Sequence, residues 1–128
     1  MNNKNFYLLY GEDKAILNKE IYSIKKKLNV NEDSIIYYDI DSVNDIIDEA
    51  LTISMFSDIK LIIINSTSFL SEKKEVTNIN LLEDYLEHYN ENSYLVFISY
   101  KDNVDSRKKL VKLISSKGIT KKVEVLDA

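Results

Sequence analysis

The sequence predicts an α/β fold, a three-layer α/β/α sandwich in which helices cover both faces of a mainly parallel five-stranded sheet. Four short apolar runs are continuous, as is typical of strands that are buried on both faces of a parallel sheet. Amphipathic helical periods separate these runs, and right-handed crossovers between alternating strands and helices place the strands in parallel. The length of 128 residues, 45% of them hydrophobic, suits a single domain of residues 1–128.

The predicted strands are the apolar runs and one weaker segment. The four runs are residues 6–10, 35–40, 61–64 and 94–98. The fifth segment, residues 119–126, alternates valine with charged residues, which is typical of a strand at the edge of a sheet.

The first two predicted helices follow the first two runs. Leucine and isoleucine recur every three or four positions in the first, at Leu17, Ile21, Ile24 and Leu28. The second has its apolar positions at Val43, Ile46, Ile47, Ala50 and Leu51. Ser42 precedes it with Asp45 three positions on, which resembles a capping box.

Two more helices and one loop complete the predicted elements. The third helix has apolar positions at Leu82, Tyr85, Leu86 and Tyr89, and the fourth at Leu110, Leu113 and Ile114. We expect Asp105 or Ser106 to cap the start of the fourth helix and Gly118 to close it at the C′ position. Residues 66–78 are predicted to form a loop anchored by Phe69 and Leu70.

The composition excludes several classes of protein. The chain has two Gly, no Pro, Cys or Trp, and one histidine, His88, which we expect at the surface. Disulfide scaffolds, zinc ribbons and thiol nucleophiles are therefore excluded, and we expect no metal and no cofactor. The net charge of -4 argues against general binding of duplex DNA. No apolar stretch is long enough to span a membrane, and the N-terminal residues MNNKNF lack the apolar region of a signal peptide, so we expect a cytoplasmic protein.

The carboxyl ends of the strands are where ligands bind in open parallel sheets. The first predicted strand is followed by Gly11, Glu12 and Asp13, which offer one glycine and two carboxylates where a phosphate loop needs several small residues. These carboxylates favour helix capping instead. Asn65 ends the third strand, where an ATPase needs an acidic residue for magnesium and a receiver domain needs an acidic phosphoacceptor. We interpret the four residues as a degenerate nucleotide site.

Residues 51–58 contain two bulky apolar side chains that miss the predicted core. If the second helix continued at about 100° per residue, Met55 and Phe56 would lie away from its buried face. Either the helix ends and the loop tucks both side chains under the sheet, or they project as an apolar wedge that a partner's pocket accepts. From the residues alone both interpretations stay open.

The chain resembles, over its whole length, the N-terminal domain of the delta subunit of bacterial DNA polymerase III, a clamp-loader subunit. The matching segments stand in family order: YLLYGEDKAILNKEI at residues 7–21, FSDIKLIIIN at 56–65, LLEDYLEHYNENSYLVFI at 81–98 and DSRKKLVKLI at 105–114. The resemblance implies an AAA+ type domain, similar to P-loop NTPases, that has lost its nucleotide site and has no catalytic activity of its own. It also implies that lid and collar domains are absent from this chain.

The resemblance further implies a partner and a binding segment. The family binds the sliding clamp, the beta subunit, through a hydrophobic wedge after the second helix, and helps to open the ring for loading onto primed DNA. That wedge falls on Met55 and Phe56, flanked by Ile53, Ser54 and Ser57. Other clamp-loader subunits are implied partners of the full-length protein, and DNA is implied to be contacted mainly through the assembly.

The basic residues at the start of the fourth helix have two interpretations. Arg107, Lys108, Lys109 and Lys112 either lie near DNA in the assembly or form a solvated face. A different class of function, a small nucleotide-binding or phosphoryl-transfer enzyme with Gly11 in its binding loop, is the alternative to clamp binding.

Overall fold

A computed structural model describes residues 4–52 and 59–124 of the chain. Its centre is a five-stranded sheet in which every strand pair is parallel, in the order β2-β3-β4-β1-β5. The strands are β1 Phe6–Tyr10, β2 Ile35–Asp39, β3 Lys60–Asn65, β4 Ser93–Ser99 and β5 Ile119–Lys122. The predicted parallel sheet of five strands is confirmed.

Helices cover both faces of this sheet. In the described residues they are α1 Lys14–Leu28, α2 Val43–Leu51, α3 Thr67–Ser71, α4 Ile79–Glu87 and α5 Lys109–Lys117, and a 3-10 turn lies at Glu32–Ser34. Helix α1 packs on one face of the sheet, and the buried residues of α2 to α5 pack on the opposite face. The predicted three-layer α/β/α arrangement is therefore confirmed.

The continuous apolar runs supply both layers of the core because successive strand residues point to opposite faces. In β1, Phe6 and Leu8 join the cluster under α2 to α5, whereas Tyr7 and Leu9 join the cluster under α1. The alternation recurs in β3 and β4, which are buried along almost their whole length. All four predicted apolar positions of α1 are buried.

Strand β2 differs from the prediction of a strand buried on both faces. It is an edge strand that pairs with β3, and none of its residues is fully buried. The side chain of Tyr37 in its middle is 63% exposed. The apolar run predicts a strand correctly, but the order of strands leaves one of its sides unpaired. The predicted edge position of β5 is confirmed.

Several predicted helix boundaries are wrong. Part of the expected loop at 66–78 forms α3, although its anchors Phe69 and Leu70 are buried as predicted. Ser42 precedes α2 without a capping bond from its side chain. Helix α5 begins at Lys109, with Lys108 and not Asp105 or Ser106 at its N-cap.

Three further predictions concern residues at helix ends. Leu51, predicted to face the core, is 54% exposed because α2 ends there. Tyr89 lies beyond the end of α4 and packs edge-on against Phe6. Gly118 follows α5 with a φ of -135°, so it is not a left-handed C′ residue. Its lack of a side chain has another use, since a Cβ there would overlap the carbonyl oxygen of Phe6.

Candidate functional site

The first candidate site lies at the carboxyl edge of the sheet, where β1 passes into α1. Gly11 is buried, and its amide donates to the carbonyl oxygen of Ser99 at 3.1 Å. The chain after β5 runs close by, because the amide of Val123 donates to the carbonyl of Tyr10 at 2.7 Å. A Cβ on Gly11 would overlap the carbonyl oxygen of Val123. Glycine is therefore needed here for a close approach of two backbone segments. Its amide already donates to Ser99 and is not free to bind a phosphate.

Asp13 occupies the N-terminus of α1 as predicted from the sequence. Its Oδ1 accepts hydrogen bonds from the amides of Ala15 at 3.0 Å and Ile16 at 3.2 Å. These are donors that a phosphate at a helix N-terminus would need. The neighbouring Glu12 is exposed, so this turn presents carboxylates rather than free amides.

Asn65 ends β3 at the same edge of the sheet. Its Oδ1 accepts from the amide of Thr67 at 3.2 Å and from the Thr67 hydroxyl at 2.7 Å. The Thr67 hydroxyl in turn accepts from the amide of Tyr100 at 3.2 Å. Asn65 thus organises the start of α3 and ties β3 to the end of β4.

Carboxylates beside Asn65 are also engaged locally. Asp39 Oδ1 accepts from the amide of Asp41 at 3.0 Å, and Asp41 pairs with Lys74 at 3.2 Å. In the described ranges, no group of three or more Asp, Glu, His or Cys side chains is placed to hold a metal ion.

A groove of about 600 Å³ opens beside this edge, between α1 and the ends of β2, β3 and β4. Tyr22, Tyr37 and Tyr100 line it together with Lys25 and Asn65. Lys25 donates to the Tyr37 hydroxyl at 3.1 Å, and Lys14 lies 4.8 Å from the centre of the Tyr100 ring. The groove is large enough for a small ligand.

The second candidate site is the predicted wedge. Ile53, Ser54, Met55, Phe56 and Ser57 all lie outside the described residues. The structure does describe the chain on either side, which consists of the end of α2 with Leu51 and Thr52, and the start of β3. Leu51 and Thr52 are both exposed.

Lys60, the first residue of β3, links the start of this strand to the end of α2. Its side chain is only 8% exposed, and its ammonium donates to the Glu49 carboxylate at 2.7 Å. The same ammonium donates to the carbonyl oxygens of Glu49 at 2.8 Å and Thr52 at 3.0 Å. All three protons of this buried charge therefore have acceptors, two of which are carbonyls at the negative end of α2.

Neighbouring side chains complete this network, which we call the α2 anchor: Glu49, Lys60, Asn90 and Ser93. The Ala50 carbonyl accepts from the Ser93 hydroxyl at 2.6 Å and from the Asn90 side-chain amide at 3.1 Å. Tyr38 donates to the second carboxylate oxygen of Glu49 at 3.2 Å. The pKa of the Tyr38 hydroxyl is raised, mainly by burial and next by this hydrogen bond.

Sequence reasoning missed the α2 anchor. One signal was present, because Lys60 stands directly before the apolar run of β3, at a position that proves to be buried. A lysine at such a position needs acceptors, and the carbonyls at the C-terminal end of the preceding helix are ones that a lysine side chain can bond.

The basic residues at the start of α5 do not form one uniform face. Arg107 pairs with Asp105, and hydrogen bonds with Arg107 lower the pKa of that carboxyl. Lys108 lies 4.0 Å from the centre of the Phe69 ring, and burial lowers its pKa. Lys109 and Lys112 are exposed.

The family of the chain follows from comparison with protein-family models. Residues 7–124 match the model of the DNA polymerase III delta subunit. The chain belongs to this family. The match includes both the carboxyl edge at Gly11 and Asn65 and the α2 anchor. The family that the sequence resemblance predicted is therefore confirmed.

Solved structures show the same fold. The delta-family domain superimposes on the Bacillus subtilis DNA clamp loader delta protein YqeN with a TM-score of 0.82 and 21% identity, covering 98% of this chain and 40% of that one. A DNA polymerase III gamma subunit-related protein from Thermotoga maritima matches with a TM-score of 0.61 and 17% identity, covering 97% and 42%. The chain thus spans about two fifths of these solved proteins.

One further comparison and one finding on the helices complete the description. A search of curated proteins gave no match. Among the helices of the described delta-family domain, none is long and apolar enough to cross a membrane.

Proposed function

We propose that the chain is the clamp-binding domain of a clamp-loader delta subunit. In this proposal Met55 and Phe56, flanked by Ile53, Ser54 and Ser57, form a hydrophobic wedge that enters an apolar pocket of the sliding clamp, the beta subunit. Binding helps to open the ring for loading onto primed DNA during replication in the cytoplasm. The other clamp-loader subunits are partners of the longer protein, and DNA is contacted mainly through their assembly.

One observation carries this proposal beyond membership of the family. Helix α2 ends with Leu51 turned to solvent, although its preceding apolar residue Ala50 is fully buried. The last described residues before positions 53–58, Leu51 and Thr52, therefore lie at the surface of the domain, and the first of them is apolar. This favours an exposed wedge over a loop tucked under the sheet.

The energies suit such a contact. Burying two apolar side chains contributes about 3 to 6 kcal/mol. A micromolar complex corresponds to about 8 kcal/mol, so the wedge would supply a large share of its affinity.

The carboxyl edge supports a binding role without catalysis or a nucleotide cofactor. The Gly11 amide donates to the carbonyl oxygen of Ser99. The Asp13 carboxylate accepts hydrogen bonds from two amides at the start of α1. Asn65 places an uncharged amide where magnesium would need a carboxylate. In this proposal the site at Gly11, Glu12, Asp13 and Asn65 is degenerate and binds no nucleotide.

The test compares Phe56→Ala, alone and with Met55→Ala, with the unchanged domain. We expect the single variant to lose about tenfold to a hundredfold in affinity for the sliding clamp, since one buried aromatic contact is removed. The thermal melt should stay nearly unchanged. Tyr22→Ala is the matched control, because it removes an exposed aromatic side chain from α1.

Two results would contradict this part of the proposal. Unaltered clamp affinity in the double variant would show that the wedge is not the binding element. A loss of about 3 to 5 kcal/mol in stability on Phe56→Ala would show that the side chain is buried in the domain itself.

A further inference from the structure

Two residues of the α2 anchor, Glu49 and Lys60, stand on either side of residues 53–58 in the sequence, which we call the wedge segment. Thr52 is the last described residue before residues 53–58, and Lys60 is the second one after them. The bond from the Lys60 ammonium to the Thr52 carbonyl, 3.0 Å long, therefore closes the base of the segment across eight sequence positions. Lys60 is also bonded through its own amide to the Asn92 carbonyl at 2.9 Å, which fixes it to the start of β4.

Stability alone does not explain a lysine at this position. Removing a charge from water is costly, and an apolar side chain of similar volume in place of a buried ion pair is often neutral or stabilising. An apolar side chain would fill the space above the sheet equally well, but it has no donors for the Glu49 and Thr52 carbonyls. What the lysine adds is a defined position for the last turn of α2 relative to β3.

We propose that Lys60 is a positioning residue for clamp binding, which holds the base of the wedge segment in one conformation. The inference rests on the proposed function. A segment that leaves a fixed base loses less conformational entropy on docking than one that leaves a frayed helix end. Lys60 thus acts on clamp affinity through the end of α2, without itself touching the clamp.

The experiment replaces Lys60 by Met, which keeps an unbranched side chain and removes the donors. With every variant measured where it is fully folded, we expect Lys60→Met to bind the sliding clamp about tenfold more weakly. Amide hydrogen exchange at residues 48–52 should become faster. Lys60→Arg, which restores donors at the same place, should recover most of the lost affinity.

Two controls separate positioning from general destabilisation. Ile21→Val weakens the core on the α1 face, and Lys121→Met removes the exposed pair with Glu20 at 2.9 Å. Neither should change clamp affinity or exchange in α2. If Lys60→Met does not fold, Lys60→Gln keeps a shorter side chain with amide donors, and a smaller loss of affinity in the same direction is expected.

The outcomes distinguish this inference from the proposed function. Weaker binding after Phe56→Ala, combined with unchanged binding after Lys60→Met, would overturn the positioning role alone. Equal loss of affinity in Lys60→Met and Ile21→Val would also overturn it. Absence of clamp binding by the unchanged domain would overturn the proposed function and this inference with it.

Discussion

At the scale of single residues, the hydroxyl of Tyr7 is a buried polar group without a hydrogen-bond partner in the described structure. Tyr7 lies in β1 under α1, and its buried hydroxyl has no hydrogen-bond partner among the described residues. A buried polar group without a partner is destabilising, because it has lost its bonds to water. Burial, with a smaller contribution from Tyr94, raises the pKa of Tyr7 above 10.0.

We therefore predict that Tyr7→Phe increases the free energy of unfolding by about 1 kcal/mol at neutral pH. Because the pKa is raised in the folded state, stability is fully present below the ordinary value and is lost as pH rises through the folded value. The variant should lose less stability above pH 10 than the parent. Urea denaturation across pH, with Tyr22→Phe as an exposed control, measures both effects. A less stable variant would show that the hydroxyl has a partner.

The two glycines show what single residues reveal only in the fold. In the sequence Gly11 suggests the remains of a phosphate loop, and Gly118 suggests a helix cap. In the structure each marks a close approach of backbone, Gly11 to Val123 and Gly118 to Phe6. Both contacts join segments that are more than a hundred residues apart in the sequence, so local sequence patterns do not reveal them.

At the scale of elements, α1 was predictable and the surroundings of α2 were not. The spacing of Leu17, Ile21, Ile24 and Leu28 defines the buried face of α1, and all four are buried. For α2, the same pattern places Leu51 in the core, but the helix ends there and the side chain is exposed. Its end is determined by Lys60 and Ser93, which come from other strands. Helical periodicity carries no information on such contacts.

The start of α1 gives a prediction at this scale. Asp13→Ala removes the acceptor for the amides of Ala15 and Ile16, so we expect a loss of about 0.5 to 2 kcal/mol in the free energy of unfolding. Chemical denaturation measures it. Glu12→Ala is the matched control, because it removes the same charge from an exposed neighbour that is not the cap. Equal effects of the two changes would mean that the helix dipole, and not the cap, is responsible.

At the scale of the whole molecule, the alternation of strands and helices predicts a layered parallel sheet but not the order of its strands. The order makes β2 an edge strand and brings Gly11, Asn65 and Tyr100 to one edge beside the groove. That edge is where a nucleotide would bind in a related fold. The sequence could show that further glycines are missing after β1 and that β3 ends in Asn65 rather than in an acidic residue, whereas the hydrogen bond of the Gly11 amide required the structure.

The whole-domain prediction about nucleotides follows from this edge. Titration with a fluorescent ATP analogue and magnesium should give no saturable binding, because amides at the start of α1 are capped and no carboxylate follows β3. Saturable binding in the micromolar range, reduced by Lys25→Ala in the groove, would instead favour the nucleotide-binding alternative.

The most direct measurement of the central claim is a calorimetric titration of the unchanged domain into a bacterial sliding clamp. We predict saturable binding with a negative heat-capacity change, since apolar surface is buried when the wedge enters its pocket. The double change of Met55 and Phe56 to Ala should abolish the signal. No binding by the unchanged, folded domain would contradict the proposal that it is a clamp-binding module.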